Sequence, residues 1–427
     1  MSGEKIGNIY ILSMVKKFNT VLFGLLATIF INRLLGPSLK GDYEYINNIL
    51  TIMIAVLNMG ITTVLPNYVR KKNSWTISTF YALSFFQFIT YICISIVVWL
   101  IIEDINYFLY CCVVAFGILS LQMLNCTMIY NFKVTVIANS ISVIVNAIIL
   151  WIAFALGFSD ISIIFIVIII KESVACILCI IPMAKKLHLS EIRFNEWKGI
   201  LIAGIIPMMT SVLAIMNYKF DVLELKWLGI KSYNIGLYTV GVNLAEYVLL
   251  ISDVFKDVLF NKTAKDDNIE SMKFCLRICS TIMILAFVFM TIFGKLVIFV
   301  LFGKEYITAY FVTIIVIAGA YSMMYFKLLG VLYIAQGNWK FYFNVLLGSV
   351  LINAITNLFF IPIMSMYGAA LTSVLSYSFA GGVFLIRFKK KYACAIRDIA
   401  IVNKNDISRV RKGLRKGLKD LGRIKNE

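Results

Sequence analysis

Ionisable side chains lie inside otherwise apolar stretches of this chain, among them Lys16, Lys17, Lys171, Lys219, Lys226 and Lys327 against Glu172, Asp221, Glu224, Glu246 and Asp253. Moving one such charge to a bilayer centre costs about 2.5–3.5 kcal/mol even on a lenient scale, so each needs a partner helix or a watery cavity. Together they mark a polar pathway inside a helix bundle. Helical spacing sorts them: Asn217, Asp221 and Glu224 share one face of a helix, while Lys219 and Lys226 share roughly the opposite face. Asn243, Glu246 and Asp253 form a similar stripe on the next segment and could partner either face. Lys171, beside Glu172, reads first as part of a structural ion pair to other helices and second as a ligand contact. For Lys16 and Lys17, which follow a short apolar run, snorkelling to the interface competes with a binding role. For Arg33 and Lys226 snorkelling is the leading reading.

The elements that position these groups follow from hydropathy. Of 427 residues, 61% are hydrophobic and 15% charged, and the mean hydropathy is +0.90, which places the chain outside soluble globular composition. Apolar segments fall at about 9–35, 44–68, 77–102, 107–130, 134–158, 160–183, 200–228, 235–260, 274–301, 307–335, 341–363 and 367–388. The spacing predicts an all-α membrane protein of about twelve transmembrane helices, with residues 9–35 a retained helix and not a cleaved signal. Alternate loops carry most of the lysines and arginines, so the positive-inside rule puts both termini in the cytoplasm.

Eight of the nine cysteines lie within apolar segments, which disfavours disulfides. Cys176 and Cys179 form a CxxC inside a helix, and with His188 the single histidine no metal set is expected. Much of the net charge of +18 sits beyond residue 387, where Ile407, Val410, Leu414, Leu418 and Leu421 make an apolar stripe on a basic helix. That tail is expected on anionic membrane lipids and not on nucleic acid, since it follows a membrane segment directly and lacks interleaved aromatics.

The chain also repeats itself. Leu35-Gly36, Gly41-Asp42-Tyr43 and Val64-Leu65-Pro66-Asn67 match Leu228-Gly229, Gly236-Leu237-Tyr238 and Val258-Leu259-Phe260-Asn261, with a cation three residues before each leading glycine, Arg33 and Lys226. Asn131-Phe132-Lys133 and Asn146-Ala147-Ile148 match Asn338-Trp339-Lys340 and Asn353-Ala354-Ile355 without gaps. At offsets of about 193 and 207, these point to two pseudo-symmetric six-helix lobes of common origin, 1–184 and 200–388, joined by a cytoplasmic linker 185–199 and followed by the basic tail 389–427. A parallel repeat of this kind is expected to bind its substrate in the cleft between the halves.

On RLLGPSLKGDY, on KFDVLELKWLG with IGLY, and on QGNWKFYFNVLL through IPIMSMYGAALTSVLSYS, the chain resembles polysaccharide flippases, the Wzx-type members of the multidrug, oligosaccharidyl-lipid and polysaccharide (MOP) exporter superfamily. Phe260 departs from the family's usual proline, and Leu39-Lys40 from its aromatic residue before Gly41. The resemblance implies two MATE-like lobes, alternating access, and transfer of an undecaprenyl-diphosphate-linked oligosaccharide, an O-antigen or capsule repeat unit, across a bacterial plasma membrane. It also implies a polysaccharide polymerase and other assembly proteins as partners.

For such a substrate, Lys16, Lys17 and Lys327 are expected to form a cytoplasm-facing cationic pocket for the diphosphate, with Lys219, Arg33 and Lys171 as further candidates. The polyprenyl tail gains about 0.8 kcal/mol per buried CH2 and should stay in lipid. Gln87, Tyr91, Gln122, Asn125, Asn139, Asn146, Asn344, Asn353 and Asn357 could meet sugars, although interhelical hydrogen bonds are their commoner use. Asp221, Glu224 and Glu246 are candidate sites for H+ or Na+ as coupling ion; no other cofactor is expected. The rivals are a drug/cation antiporter on the same fold and a membrane glycan polymerase or transferase. The short outer loops, without a paired-carboxylate or histidine cluster, argue against an enzyme.

Overall fold

The computed structural model describes residues 3–71, 73–263, 269–403, 405–408 and 411. Among them there is no β-strand, and the chain is a succession of long helices: α1 Gly3–Leu57, α2 Ile61–Arg70, α3 Thr76–Ile102, α4 Ile105–Tyr130, α5 Phe132–Ala155, α6 Ile161–Met183, α7 Trp197–Trp227, α8 Ser232–Thr263, α9 Ile269–Phe302, α10 Ala309–Ala335, α11 Trp339–Met364, α12 Met366–Tyr392 and the short α13 Arg397–Ala400. Eleven stretches of the described residues are long and apolar enough to cross a membrane. The first runs from Leu12 to Arg70, and its 59 residues, about 90 Å of helix, are enough for two crossings. Large apolar side chains such as Ile101, Ile292, Phe359 and Ile363 stand exposed on these helices, as lipid contact requires.

The first two predicted segments are joined differently from the expectation. The connection at 36–43 is not a loop: Gly36, at φ 65 and ψ 173, kinks α1, and Pro37 starts the next helical limb at once. That limb ends at Leu57, where Met59 (φ 52) and Gly60 (φ 65) break the helix before α2. The break is closed by crossing: a Cβ on Gly60 would collide with the Gly204 carbonyl oxygen of α7, and one on Gly204 with the Met59 carbonyl oxygen.

The chain divides into two compact units, residues 1–239 with 301–306, and residues 240–300 with 307–427. The boundary lies inside α8, whereas the lobes expected from the repeat divide at 185–199; α7 packs on α1 and α2. In the first unit, one core joins Leu65, Phe80, Met123, Cys176, Cys179 and Ile200. A second joins Tyr43, Leu50, Ile118, Leu150 and Phe165. In the second unit, the rings of Phe326, Tyr333, Phe341 and Tyr342 gather around Phe384.

After α12, the segment through Asp406 straps onto α9. Arg277 forms a bidentate ion pair with Asp406 at 2.6 and 2.7 Å and also donates to the Asp398 carbonyl, while the Val402 amide donates to Thr281. The apolar stripe expected on the tail lies, apart from Ile407, outside the residues described.

Candidate functional site

The repeat motifs found in the sequence meet in the first unit. A Cβ on Gly41 would fall on the Ser232 carbonyl oxygen, and a Cβ on Gly236 on the Pro37 carbonyl oxygen. Pro37 and Gly41 match Ser232 and Gly236 at a common offset of 195, so the contact is its own pseudo-symmetric mate. The two residues beyond the 193 offset are an insertion after Gly229, where the second copy makes a short turn in place of the Gly36 kink. Small residues four apart let two backbones touch, which is how helices associate where lipid supplies no hydrophobic drive.

Charges surround this crossing. Lys226 donates to Asp42 at 2.7 Å and to Ser232 at 2.8 Å, and Ser232 donates to Asp42 at 2.6 Å. Lys226 is thus engaged by protein, where the sequence suggested snorkelling. Arg33, exposed, donates to the Leu301 carbonyl at the end of α9, a helix C-terminus that favours a cation. Tyr306 donates to the Asn32 carbonyl at 2.9 Å, and burial pushes its phenol pKa upward, which keeps it protonated as a donor.

The remaining candidates of the first unit separate as their spacing predicts. Asn217, Asp221 and Glu224 are buried on one face of α7, with Asp221 accepting from Tyr238 at 2.6 Å, while Lys219 is half-buried. Lys171 and Glu172 pair with each other at 2.6 Å, not with neighbouring helices. Lys16 and Lys17 are half-buried, and Lys16 lies within electrostatic range of Cys179 on α6.

Most of the amides named as sugar contacts prove to be interhelical. Gln122 donates to Asn58 at 3.0 Å and to Gln87 at 2.8 Å, and Gln87 and Tyr91 both donate to the Leu57 carbonyl that the broken helix leaves open. Asn125 donates to Thr62 and Asn139 to Thr20, while Asn357 accepts from Thr372 of α12 and donates within α11 to Asn353.

In the second unit, Lys327 of α10 donates to Asp253 of α8 at 2.8 Å, and Lys256, one turn further along α8, stands 3.9 Å from the other carboxylate oxygen. The lysine pocket expected from the sequence did not include this carboxylate. By spacing Asp253 could partner either face of α7; the structure pairs it with Lys327 of α10. The side chains of Lys327 and Asp253 retain 17% and 22% exposure, so the pair is not sealed in the core. Glu246, two turns before Asp253, is half-buried. Spacing did not signal the Lys327–Asp253 pairing, because charge partners far apart in sequence leave no local pattern; Lys256, three residues from Asp253, is a local neighbour.

No family model and no curated protein sequence matches the chain. Among solved structures, a lipid II flippase, MurJ, in an inward closed conformation aligns with TM-score 0.71 at 15% identity, over 91% of this chain and 89% of that one. An inward-facing multidrug resistance MATE family transporter of the MOP superfamily aligns with TM-score 0.69 at 11% identity, over 90% and 98%. This chain has the MATE/MurJ fold. A MOP superfamily transporter from Pyrococcus furiosus, described as having a binding pocket of reversed polarity, aligns with TM-score 0.63 at 11% identity, over 90% and 95%.

Proposed function

We propose that this chain is a flippase that carries an undecaprenyl-diphosphate-linked oligosaccharide from the cytoplasmic to the outer leaflet of a bacterial plasma membrane. The cycle is alternating access reset by an H+ or Na+ gradient. The observation that carries this reading is the placement of Lys16, Lys17, Lys219 and Lys327, all half-buried on apolar spans, in a fold shared with a lipid II flippase. Ammonium groups at low dielectric favour a multiply charged anion such as a diphosphate. Arg33, Lys171 and Lys327 each hold a protein partner in this structure and bind the anion by exchanging it. Asp221, Glu224 and Glu246 are the carboxylates assigned to the coupling ion. The work done is translocation, with no covalent step. Anionic lipids hold the basic tail, and a polymerase and other assembly proteins receive the product.

A second reading, a drug/cation antiporter, is favoured by the burial of Asp221 and Glu224 and by the MATE transporters that share the fold. Complementation of a deletion strain separates the two. The flippase reading expects lost surface polysaccharide restored by the wild-type gene, with the Lys16→Ala, Lys17→Ala double variant failing to restore it at normal protein level and Lys→Arg restoring part. Drug resistance on overexpression with unaltered polysaccharide in the deletion strain would favour the antiporter. Glycosidic bond formation by the purified protein would instead make it a polymerase or transferase.

A further inference from the structure

Asn58 and Asp253 are related by the same offset of 195 that relates Gly41 to Gly236, so they occupy equivalent turns of two related helices. In the first unit, Asn58 is met by Gln122 of α4, an uncharged contact. In the second, Asp253 is met by Lys327 of α10, the helix that the Asn131/Asn338 correspondence makes equivalent to α4. The equivalent helices thus meet without charge in one copy, through Gln122, whose counterpart is Leu329, and with charge in the other, through Lys327, whose counterpart is Ser120. An ion pair in a membrane span is costly to desolvate and is no better than neutral packing for stability, so its presence needs another reason. Two further observations give one. Asp253 lies between two ammonium groups, at 2.8 and 3.9 Å, so it can leave Lys327 without losing every cation. The pair also keeps partial exposure, so an incoming group can reach it.

We propose that Asp253 is a built-in competitor for the anionic headgroup: the substrate's diphosphate displaces its carboxylate from Lys327, and Asp253 is then held by Lys256. This rests on the flippase reading for the identity of the anion, and it assigns to Asp253 and Lys256 roles in specificity and release. The carboxylate occupies Lys327 when no substrate is present, so the ammonium is never left bare in the span. Returning to Lys327, it helps expel the diphosphate on the far side of the cycle. A diphosphate, with more charge and more acceptor oxygens than a carboxylate, can win this exchange, whereas a monoanion competes poorly.

The test is binding of farnesyl diphosphate, with farnesol and inorganic pyrophosphate for comparison, to the full-length protein in nanodiscs. Asp253→Asn removes the competitor and should tighten farnesyl diphosphate binding by about three- to tenfold, the worth of a partly exposed ion pair. Lys327→Gln should weaken it by about tenfold or more, and Lys256→Gln should weaken it less, because Asp253 then has nowhere else to go. Asp253→Ser provides the same readout if Asp253→Asn does not fold. A purely structural pair predicts something else: the charge reversal Asp253→Lys with Lys327→Asp would restore wild-type binding, and Asp253→Asn would only lower the melting temperature. Unchanged or weaker binding by folded Asp253→Asn, or no farnesyl diphosphate binding by wild type, overturns the proposal. Surface polysaccharide in the deletion strain is scored separately: its persistence sinks the flippase reading, while the affinity order of the variants judges the exchange.

Discussion

Two equivalent helix crossings in this molecule are built from different chemistry. At Asn58 the contact is a net of amides, in which Gln122 donates to Asn58 and Gln87, while Gln87 and Tyr91 satisfy the Leu57 carbonyl at the end of a helix broken at Gly60. At Asp253 the helix runs on unbroken and the contact is an ion pair with Lys327. A broken helix offers backbone dipoles that neutral amides can meet, whereas an unbroken one has its backbone satisfied internally and leaves its side chains for other work. The first arrangement is thus demanded by local backbone chemistry, and the second is not.

The comparison can be broken at the point that defines it, the Gly41/Gly236 contact. Gly41→Leu or Gly236→Leu should prevent accumulation in the membrane fraction, because even a Cβ collides with a backbone carbonyl, while Gly24→Leu, with open space around it, should accumulate normally. Equal levels for all three would dissolve the pseudo-symmetric relation.

Next in size is Lys327→Ala, which leaves Asp253, among the described residues, the more distant Lys256. It should cost toward the lower end of about 3–5 kcal/mol in unfolding, since both partners are partly exposed. Replacing both, Lys327→Met with Asp253→Leu, should return the melting temperature near wild type while abolishing anion binding. A double variant as unstable as the single would make the pair a structural necessity and remove the contrast.

Gln122→Leu should cost about 1–3 kcal/mol, because the acceptors of Asn58 and Gln87 lose their donor in a buried setting. Conservative packing should not rescue it, unlike the ion pair. The smallest effect is expected from Lys226→Met: its pair with Asp42 is 35% and 40% exposed, and such pairs are worth about 0–1 kcal/mol and weaken with salt.

Much of the fold was legible because bilayer-length apolar runs leave few structural options: backbone groups in lipid must bond within a helix. On α7 the acidic stripe Asn217, Asp221 and Glu224 is buried and Lys219 and Lys226 half-buried, which agrees with their spacing, although Val222, Leu223 and Leu225 between them are buried too. Hydropathy leaves 36–43 between two apolar segments because GPSLKGDY is mostly polar and small, and polarity does not tell a loop from a helical limb. Here Gly36 and Pro37 supply a kink and a helix start in succession. The partners of Lys226, Lys327 and Arg33 were not legible, since Asp42, Asp253 and the Leu301 carbonyl are brought to them only by folding.

Hydropathy, cation spacing and internal repetition by themselves determined that this is a multi-helix membrane chain with lysines embedded in its spans, because burying a charge in lipid is too costly to occur without use. Which lysines already hold a carboxylate, and which amides serve the backbone, was decided only by the tertiary structure. The physical reason is that a charge or a hydrogen bond is satisfied by whatever lies a few ångströms away, and in Asp253 and Lys327 those neighbours are 74 residues apart in the chain.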